Sequence, residues 1–348
     1  MNMIETAQPP SAPERLTVLI AAFNEETSIP LLHPRLCAVL AQLPGLQTHV
    51  LYVDDGSTDG TWEVLHALTE TDAQVSAVRL SRNFGKEVAI SAGLDHVLPG
   101  AVVLLDADGQ DPPELIPEFV ALWRGGYDNI FGTRVIREGE SWLKRSAAHA
   151  FYRVIRRLSR TPIPADTGDF RLLSPRVVQA LQQLRERHRF MKGLFGWVGF
   201  RQVALPYRRE PRLSGHSKFT VWRLWNFAID GITSFSTVPL RAATYLGLLT
   251  AALAFLFGAW VVIKAALMGD PVAGWPTLMS VILFLGGVQL IALGLIGEYL
   301  GRLYDEAKQR PLYLVDTRRG AVGVGCDHQT KRGAGHADRT TAVGDQAG

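Results

Sequence analysis

Cysteine is nearly missing from this 348-residue chain: Cys37 and Cys326 are its only two, far apart and without the spacing of a zinc ligand set or a disulfide framework. The soluble part is therefore expected in a reducing compartment. Glycine is missing from Ala21–Glu26, just after the first apolar run, which excludes the Gly-x-Gly-x-x-Gly turn of a nicotinamide-dependent oxidoreductase. A Gly-x-x-x-x-Gly-Lys-Ser/Thr segment is missing as well, which excludes a P-loop nucleotidase. Net charge is small, +3, and the basic residues gather mainly between Arg134 and Arg223. That pattern fits local phosphate handling and gives no reason to expect a nucleic acid partner. Residues 1–15 hold three prolines and no apolar run, so they are read as a flexible N-terminus and not as a signal peptide.

What is present begins with a βα alternation. The apolar runs Leu16–Ala22, His49–Val53, Val75–Leu80, Val102–Leu105 and Asn129–Gly132 each end in polar residues, and helix-like stretches lie between them. This predicts an α/β domain with a mostly parallel sheet. Ligands of such sheets bind outside the carboxyl ends of the strands, where the polar residues fall here. Ser141 to Tyr207 completes the domain, which is assigned residues 16–210.

Long uncharged runs follow. Ala242–Ile263 and Trp275–Gly297 contain no charged residue, and each would span about 33 Å as a helix, enough for a hydrocarbon core of about 30 Å. They predict a two-helix transmembrane hairpin over residues 241–300. Before it, residues 211–240 include a tryptophan-rich apolar stretch with basic flanks, read as juxtamembrane interfacial helices. Lys218, Arg223 and Arg241 precede the hairpin and Arg302, Lys308 and Arg310 follow it, which predicts a multi-pass inner-membrane protein with a cytoplasmic catalytic domain. Gly286, Gly287, Gly294, Gly297 and Gly301 would allow close helix packing or a homo-oligomer. Residues 301–348 are read as a cytoplasmic tail, disordered past about 318.

Chemistry gathers at three strand ends. Ala21-Ala22-Phe23-Asn24-Glu25 closes the first strand and Asp54-Asp55-Gly56-Ser57 the second. Carboxylates followed by glycine there can receive ribose hydroxyls or base donors, although Asp-Asp-Gly-Ser alone is equally a turn with a helix cap. Asp106-Ala107-Asp108 leaves the fourth strand, and two carboxylates in that pattern can hold Mg²⁺ or Mn²⁺ on a diphosphate.

With these residues in order, the chain resembles the family 2 glycosyltransferases of the GT-A fold, and among them the polyprenyl-phosphate glycosyltransferases. The resemblance rests on Phe23-Asn24-Glu25, Asp54-Asp55-Gly56-Ser57, Ser81-Arg82-Asn83-Phe84-Gly85-Lys86-Glu87, Asp106-Ala107-Asp108, Gly168-Asp169-Phe170-Arg171-Leu172 and the membrane pair. It implies a GT-A nucleotide-sugar-binding domain, a metal at Asp106 and Asp108, a nucleoside pocket from Ala21, Phe23, Glu25 and Asp55, and inversion at the anomeric carbon. The implied substrates are a nucleotide diphosphate-sugar, UDP-glucose first, and a polyprenyl phosphate lipid in the membrane. GDP-mannose and UDP-linked amino sugars are the next donors. This chain has Gly109 where the family commonly carries leucine.

Basic residues then acquire roles. Lys86 and Arg134 would balance diphosphate or acceptor charge. Arg212, Ser217 and Lys218 match the family's Arg-x-x-Gly-x-Ser-Lys segment and would hold the lipid phosphate at the membrane surface. Asp169 is either a catalytic carboxylate or a partner of Arg171. A phosphate monoester has a second pKa of about 6, so an anionic acceptor needs little activation and Asp169 is expected to position it. A processive polysaccharide synthase would want a Gln-x-x-Arg-Trp signature and more membrane helices, and a non-catalytic membrane scaffold would have lost the metal carboxylates.

Overall fold

The computed structural model describes residues 14–134, 167–187, 189–208 and 274–323, with scattered helical positions between 245 and 267. Five strands appear where the apolar runs predict them: β1 (Arg15–Ala22), β2 (Gln47–Asp54), β3 (Val75–Leu80), β4 (Ala101–Asp106) and β5 (Asn129–Arg134). Their period-two alternation sends Leu16, Val18 and Ile20 into one core layer and Leu19, Leu51 and Val53 into another. The first layer is closed by α1 (Ile29–Leu40), α2 (Thr61–Thr71) and α4 (Ile116–Arg124), the second by α3 (Lys86–His96), α5 (Pro175–Gln183) and α6 (Met191–Trp197). The sheet is therefore covered on both faces.

The sheet has eight strands in the order β7-β5-β6-β4-β1-β2-β3-β8. β3, β2, β1 and β4 are parallel neighbours, as expected. The fifth apolar run is not the next neighbour. β6 (Thr167–Leu173) is inserted antiparallel between β4 and β5, and β7 (Gln202–Tyr207) lies parallel to β5 beyond it. An antiparallel insertion reverses the chain, so β6 starts at the edge where β4 ends. Leu104 is paired with Arg171, and continuing that register sets Asp169 opposite Asp106.

Helix α7 runs from Trp275 to Ala307 and contains the second expected membrane span. Among the described residues it holds the one segment long and apolar enough to cross a membrane, and Ile282, Phe284, Leu290, Ile291, Leu293 and Leu300 along it are exposed. The described positions of the first expected span, scattered between 245 and 263, are helical, and the interfacial segment 211–240 lies outside the described residues.

Beyond residue 210, Val315–Arg319 forms β8, which pairs antiparallel with β3 and adds an eighth strand to the sheet. The segment lacks an apolar run because an edge strand buries little; its charged side chains suit an edge that must not pair further. Past it, Gly323 donates to the His96 carbonyl and the Ser76 hydroxyl donates to the Ala321 carbonyl.

Candidate active site

The site lies where β1, β2 and β4 end and β6 begins. The loops after β1 and β2 are stitched to one another. The Asn24 amide donates to Ser57 Oγ at 2.9 Å and Asn24 Oδ1 accepts from the Thr58 amide at 2.9 Å. The Glu25 amide donates to Thr61 Oγ1, while the Glu25 carboxylate accepts from the Ser28 hydroxyl at 2.6 Å. Asn24 adopts φ 56°, a left-handed conformation that asparagine tolerates. Phe23 and Glu25 are thereby carried on a loop fixed by Ser57, Thr58 and Thr61.

Asp54 and Asp55 are buried, and burial pushes both carboxyls up. Asp54 accepts from the Ser57 amide at 2.9 Å. Asp55 accepts from the amides of Phe84 and Gly85 at 2.8 and 2.9 Å, so it anchors the Ser81–Lys86 loop. Gly56 lies beneath that loop with φ 66°, and a Cβ there would fall 2.4 Å from the Arg82 carbonyl carbon. The sequence expectation places Asp55 at the nucleoside; the geometry gives it the added task of holding the loop that delivers Lys86.

Lys86 opens α3. Its Nζ is 2.7 Å from Asp106 Oδ1 and 2.5 Å from Asp169 Oδ2. One ammonium thus joins the end of β4 to the start of β6, bringing together three residues singled out by sequence. Desolvation by the surrounding loops would lower the Lys86 ammonium, whose side chain is still 45% exposed, but the two carboxylates outweigh it and hold the group above its usual range. Burial alone would raise Asp169; Lys86, then Lys192, outweighs it and holds that carboxyl well below the usual carboxylate range. Arg171, the alternative partner, donates to the Gly168 carbonyl at 3.0 Å and stacks over Phe195 at 3.8 Å, and its charge adds to the pull that holds Asp169 low.

Glu87, beside Lys86, was not legible as a site residue. It accepts from the Met191 amide at 2.8 Å, and burial, followed by the nearby Asp169 charge, pushes its carboxyl up to about 7. Its neighbour in sequence is conspicuous, but only the packing of α6 against α3 places it under Asp169.

Asp106 and Asp108 offer carboxylate oxygens, the hard donors that Mg²⁺ or Mn²⁺ takes. Asp106 already draws the Lys86 ammonium, and Asp108 Oδ1 accepts from the Gln110 amide at 3.1 Å. Between them, Gly109 has φ 68°, a left-handed turn that leucine would adopt only with strain. The donor set fits a hard divalent ion. Ala21 sits in β1 between Val53 and Asp106, lining the same edge. Arg134 ends β5, its side chain outside the described residues, and Arg212, Ser217 and Lys218 lie outside them altogether.

The chain is similar to known proteins along most of its length. Residues 17–181 match the glycosyl transferase family 2 model and residues 238–303 match the GtrB C-terminal hairpin. A bactoprenol glucosyl transferase of Shigella phage SfX is 43% identical over 305 residues, covering 88% of this chain and 100% of that protein. An uncharacterized glycosyltransferase of Synechocystis is 50% identical over 300 residues, covering 86% of this chain and 94% of its own length. Among solved structures, a mannosyltransferase from Pyrobaculum calidifontis in complex with GDP-Man and Mn²⁺ is 18% identical with a TM-score of 0.40, covering 87% of this chain and 91% of that one. The GtrB hairpin and the apolar α7 make this a membrane-associated protein. The chain belongs to glycosyl transferase family 2, with the GT-A type of catalytic domain and the GtrB hairpin at its C-terminal side.

Proposed function

We propose that this protein transfers glucose from UDP-glucose to a polyprenyl phosphate, undecaprenyl phosphate in a bacterial-type membrane, at the cytoplasmic face and with inversion at the anomeric carbon. The observation that carries the reading is the Lys86–Asp106–Asp169 cluster at the strand ends, in a chain aligned along the full length of a relative named for bactoprenol glucosyl transfer.

The acceptor phosphate oxygen bonds to the anomeric carbon as the bond from that carbon to the diphosphate breaks, and the nucleotide diphosphate leaves with the electron pair. Phe23, Glu25 and Asp55 frame the nucleoside. Asp106 and Asp108 hold Mg²⁺ or Mn²⁺, which when bound supplies positive charge to the diphosphate. Arg134, Arg212, Ser217 and Lys218 hold the acceptor phosphate beside the membrane. Asp169 orients groups at the reacting centre and is not an obligatory base: Lys86 holds its carboxyl low, which makes it a weak proton acceptor. The acceptor, with a second pKa of about 6, supplies its own anion at neutral pH.

The test uses the full-length protein in detergent with undecaprenyl phosphate, Mg²⁺ or Mn²⁺, and UDP-glucose, GDP-mannose or a UDP-amino sugar labelled in the sugar. Label is expected in the organic phase with UDP-glucose, matched by release of UDP. Label from GDP-mannose alone would overturn the donor assignment, and label from none, in protein that still binds nucleotide, would overturn the reaction.

A further inference from the structure

We propose that Tyr313 and Leu314 are positioning residues for Lys86: the segment they open, running through β8 to Gly323, clasps both ends of α3 and so sets where the Lys86 ammonium stands. This deepens the proposed reaction and rests on Lys86 serving it. Lys86 is the first residue of α3, and the helix is seated toward its other end. A Cβ on Gly93 would fall 2.2 Å from Leu19 Cδ1, so helix and sheet touch there, and Ala89 to His96 are buried. The first turn has no such seat. Lys86 is exposed, Glu87 and Val88 are half-buried, and Ser81, Arg82 and Asn83 ahead of them are exposed. With little apolar packing, the start of the helix depends on hydrogen bonds to the loop before it. Asp55 holds the end of that loop through the Phe84 and Gly85 amides. Leu314 holds its beginning, where the carbonyl accepts from the Ser81 amide at 2.9 Å.

Leu314 has an exposed side chain, so its carbonyl is placed by its neighbours. Tyr313 packs into the same core layer as Phe84, Val315 and Val322. Its hydroxyl donates to Asp95 at 2.9 Å, and its ring centroid lies 6.0 Å from that of His96, both residues in the last turn of α3. On the other side β8 pairs with β3, and the register shifts between Arg79 and Leu80, so that Asp316 has no opposite residue. A bulge of this kind re-aims a strand end, and here the strand runs on past β3 to meet Ser81. At its far end Gly320 turns the chain against β3 with φ 75°, where a Cβ would fall 2.6 Å from Ser76 Oγ. The Ser76 hydroxyl then donates to the Ala321 carbonyl, and the Gly323 amide donates to the carbonyl of His96, the last residue of α3. One segment thus grips the loop that leads into the helix and the turn that ends it.

The consequence falls on Lys86. Its ammonium spans two strands, 2.7 Å from Asp106 on β4 and 2.5 Å from Asp169 on β6. A shift of the helix start by about 1 Å breaks one of those pairs, and misplacement on that scale at a reacting centre can cost roughly 10²-fold in rate.

The test uses the full-length protein in detergent and four variants: Tyr313→Phe, Gly320→Val, Thr317→Ala and Lys86→Met. Thr317→Ala is the control, since that hydroxyl donates only to the exposed Asp316 beside it. Amide hydrogen exchange without substrate is expected to quicken about 10-fold over residues 81–88 in Tyr313→Phe and Gly320→Val, to stay unchanged in β1 and β2, and to match the wild type throughout in Thr317→Ala. With UDP-glucose and undecaprenyl phosphate, Tyr313→Phe and Gly320→Val should lower kcat about 3–10-fold when Lys86 is present and cause no further loss in the Lys86→Met background. A purely structural role would lower both backgrounds equally and quicken exchange across the whole domain. Either result overturns the proposal, as does unchanged exchange over residues 81–88 in both strand variants. The exchange measurement needs no turnover, so it decides the positioning role even where transfer from UDP-glucose itself fails.

Discussion

Glu87 offers the sharpest probe of the electrostatics beneath the site. Its carboxyl is pushed up to about 7 in the folded protein against 4.5 for an ordinary glutamate, because the half-buried group is desolvated and faces Asp169. The folded state therefore keeps a proton that the unfolded chain has lost, and stability must fall as pH climbs from about 4.5 through about 7. The gap corresponds to at most roughly 3 kcal/mol once both states are ionised. Glu87→Gln removes the charge and keeps a carbonyl oxygen for the Met191 amide, which Glu87 now accepts at 2.8 Å. At pH 5 the variant should melt only slightly higher than the wild type, since a protonated glutamate and a glutamine are nearly isosteric and most of the loss lies at higher pH. At pH 8 the variant should melt higher, by up to about 6–12 °C for a domain of this size. The assay is thermal unfolding in detergent with EDTA, followed by tryptophan fluorescence at both pH values. An equal difference at pH 5 and pH 8, or a variant that melts lower at pH 8, would refute the argument.

Asp108→Asn should abolish turnover with the fold intact, because a hard-metal site loses an anionic ligand; normal rates at saturating Mn²⁺ would contradict the assignment. Asp169→Asn should retain partial kcat, with a rate that rises through the acceptor's own pKa near about 6; no detectable product in a protein that binds both substrates would restore the general-base role. Gly56→Ala should destabilise the protein by about 1–3 kcal/mol and raise the donor KM, since a Cβ at φ 66° meets the Arg82 backbone at 2.4 Å; chemical denaturation and initial rates measure the two effects. Arg212→Ala and Lys218→Ala should raise the acceptor KM far more than the donor KM, and equal effects on both would detach them from the lipid phosphate.

Sequence reveals those parts of the fold in which one segment carries its own signal. β1 to β4 read directly because each is an apolar run buried on both faces, with a loaded loop at its end. β6 did not, since Thr167–Leu173 mixes Gly168, Asp169 and Arg171 with its apolar residues and its place is set by pairing with β4 and β5. Asp106 and Asp108 were legible as a strand-end pair. That Lys86 clasps both Asp106 and Asp169 was not, because it depends on the reversal of one strand.

β8 bears on how a lipid acceptor and a soluble donor meet. Helix α7 has 33 residues, about 50 Å of helix, against a hydrocarbon core of about 30 Å. In the proposed membrane arrangement its last turns project beyond the bilayer. There the Glu306 carboxylate accepts from the Arg187 amide at 2.7 Å, and beyond the connector the Tyr313 hydroxyl donates to Asp95 at 2.9 Å, which also binds Arg185. The chain then continues as β8 along β3, and the Ser81 amide donates to the Leu314 carbonyl at 2.9 Å. Ser81 begins the loop that delivers Lys86. Helix α7 is consequently tied, through one edge strand, to the loop that bridges Asp106 and Asp169. In the proposed reaction the lipid phosphate stays in the plane of the membrane, and β8 would hold the catalytic edge beside it.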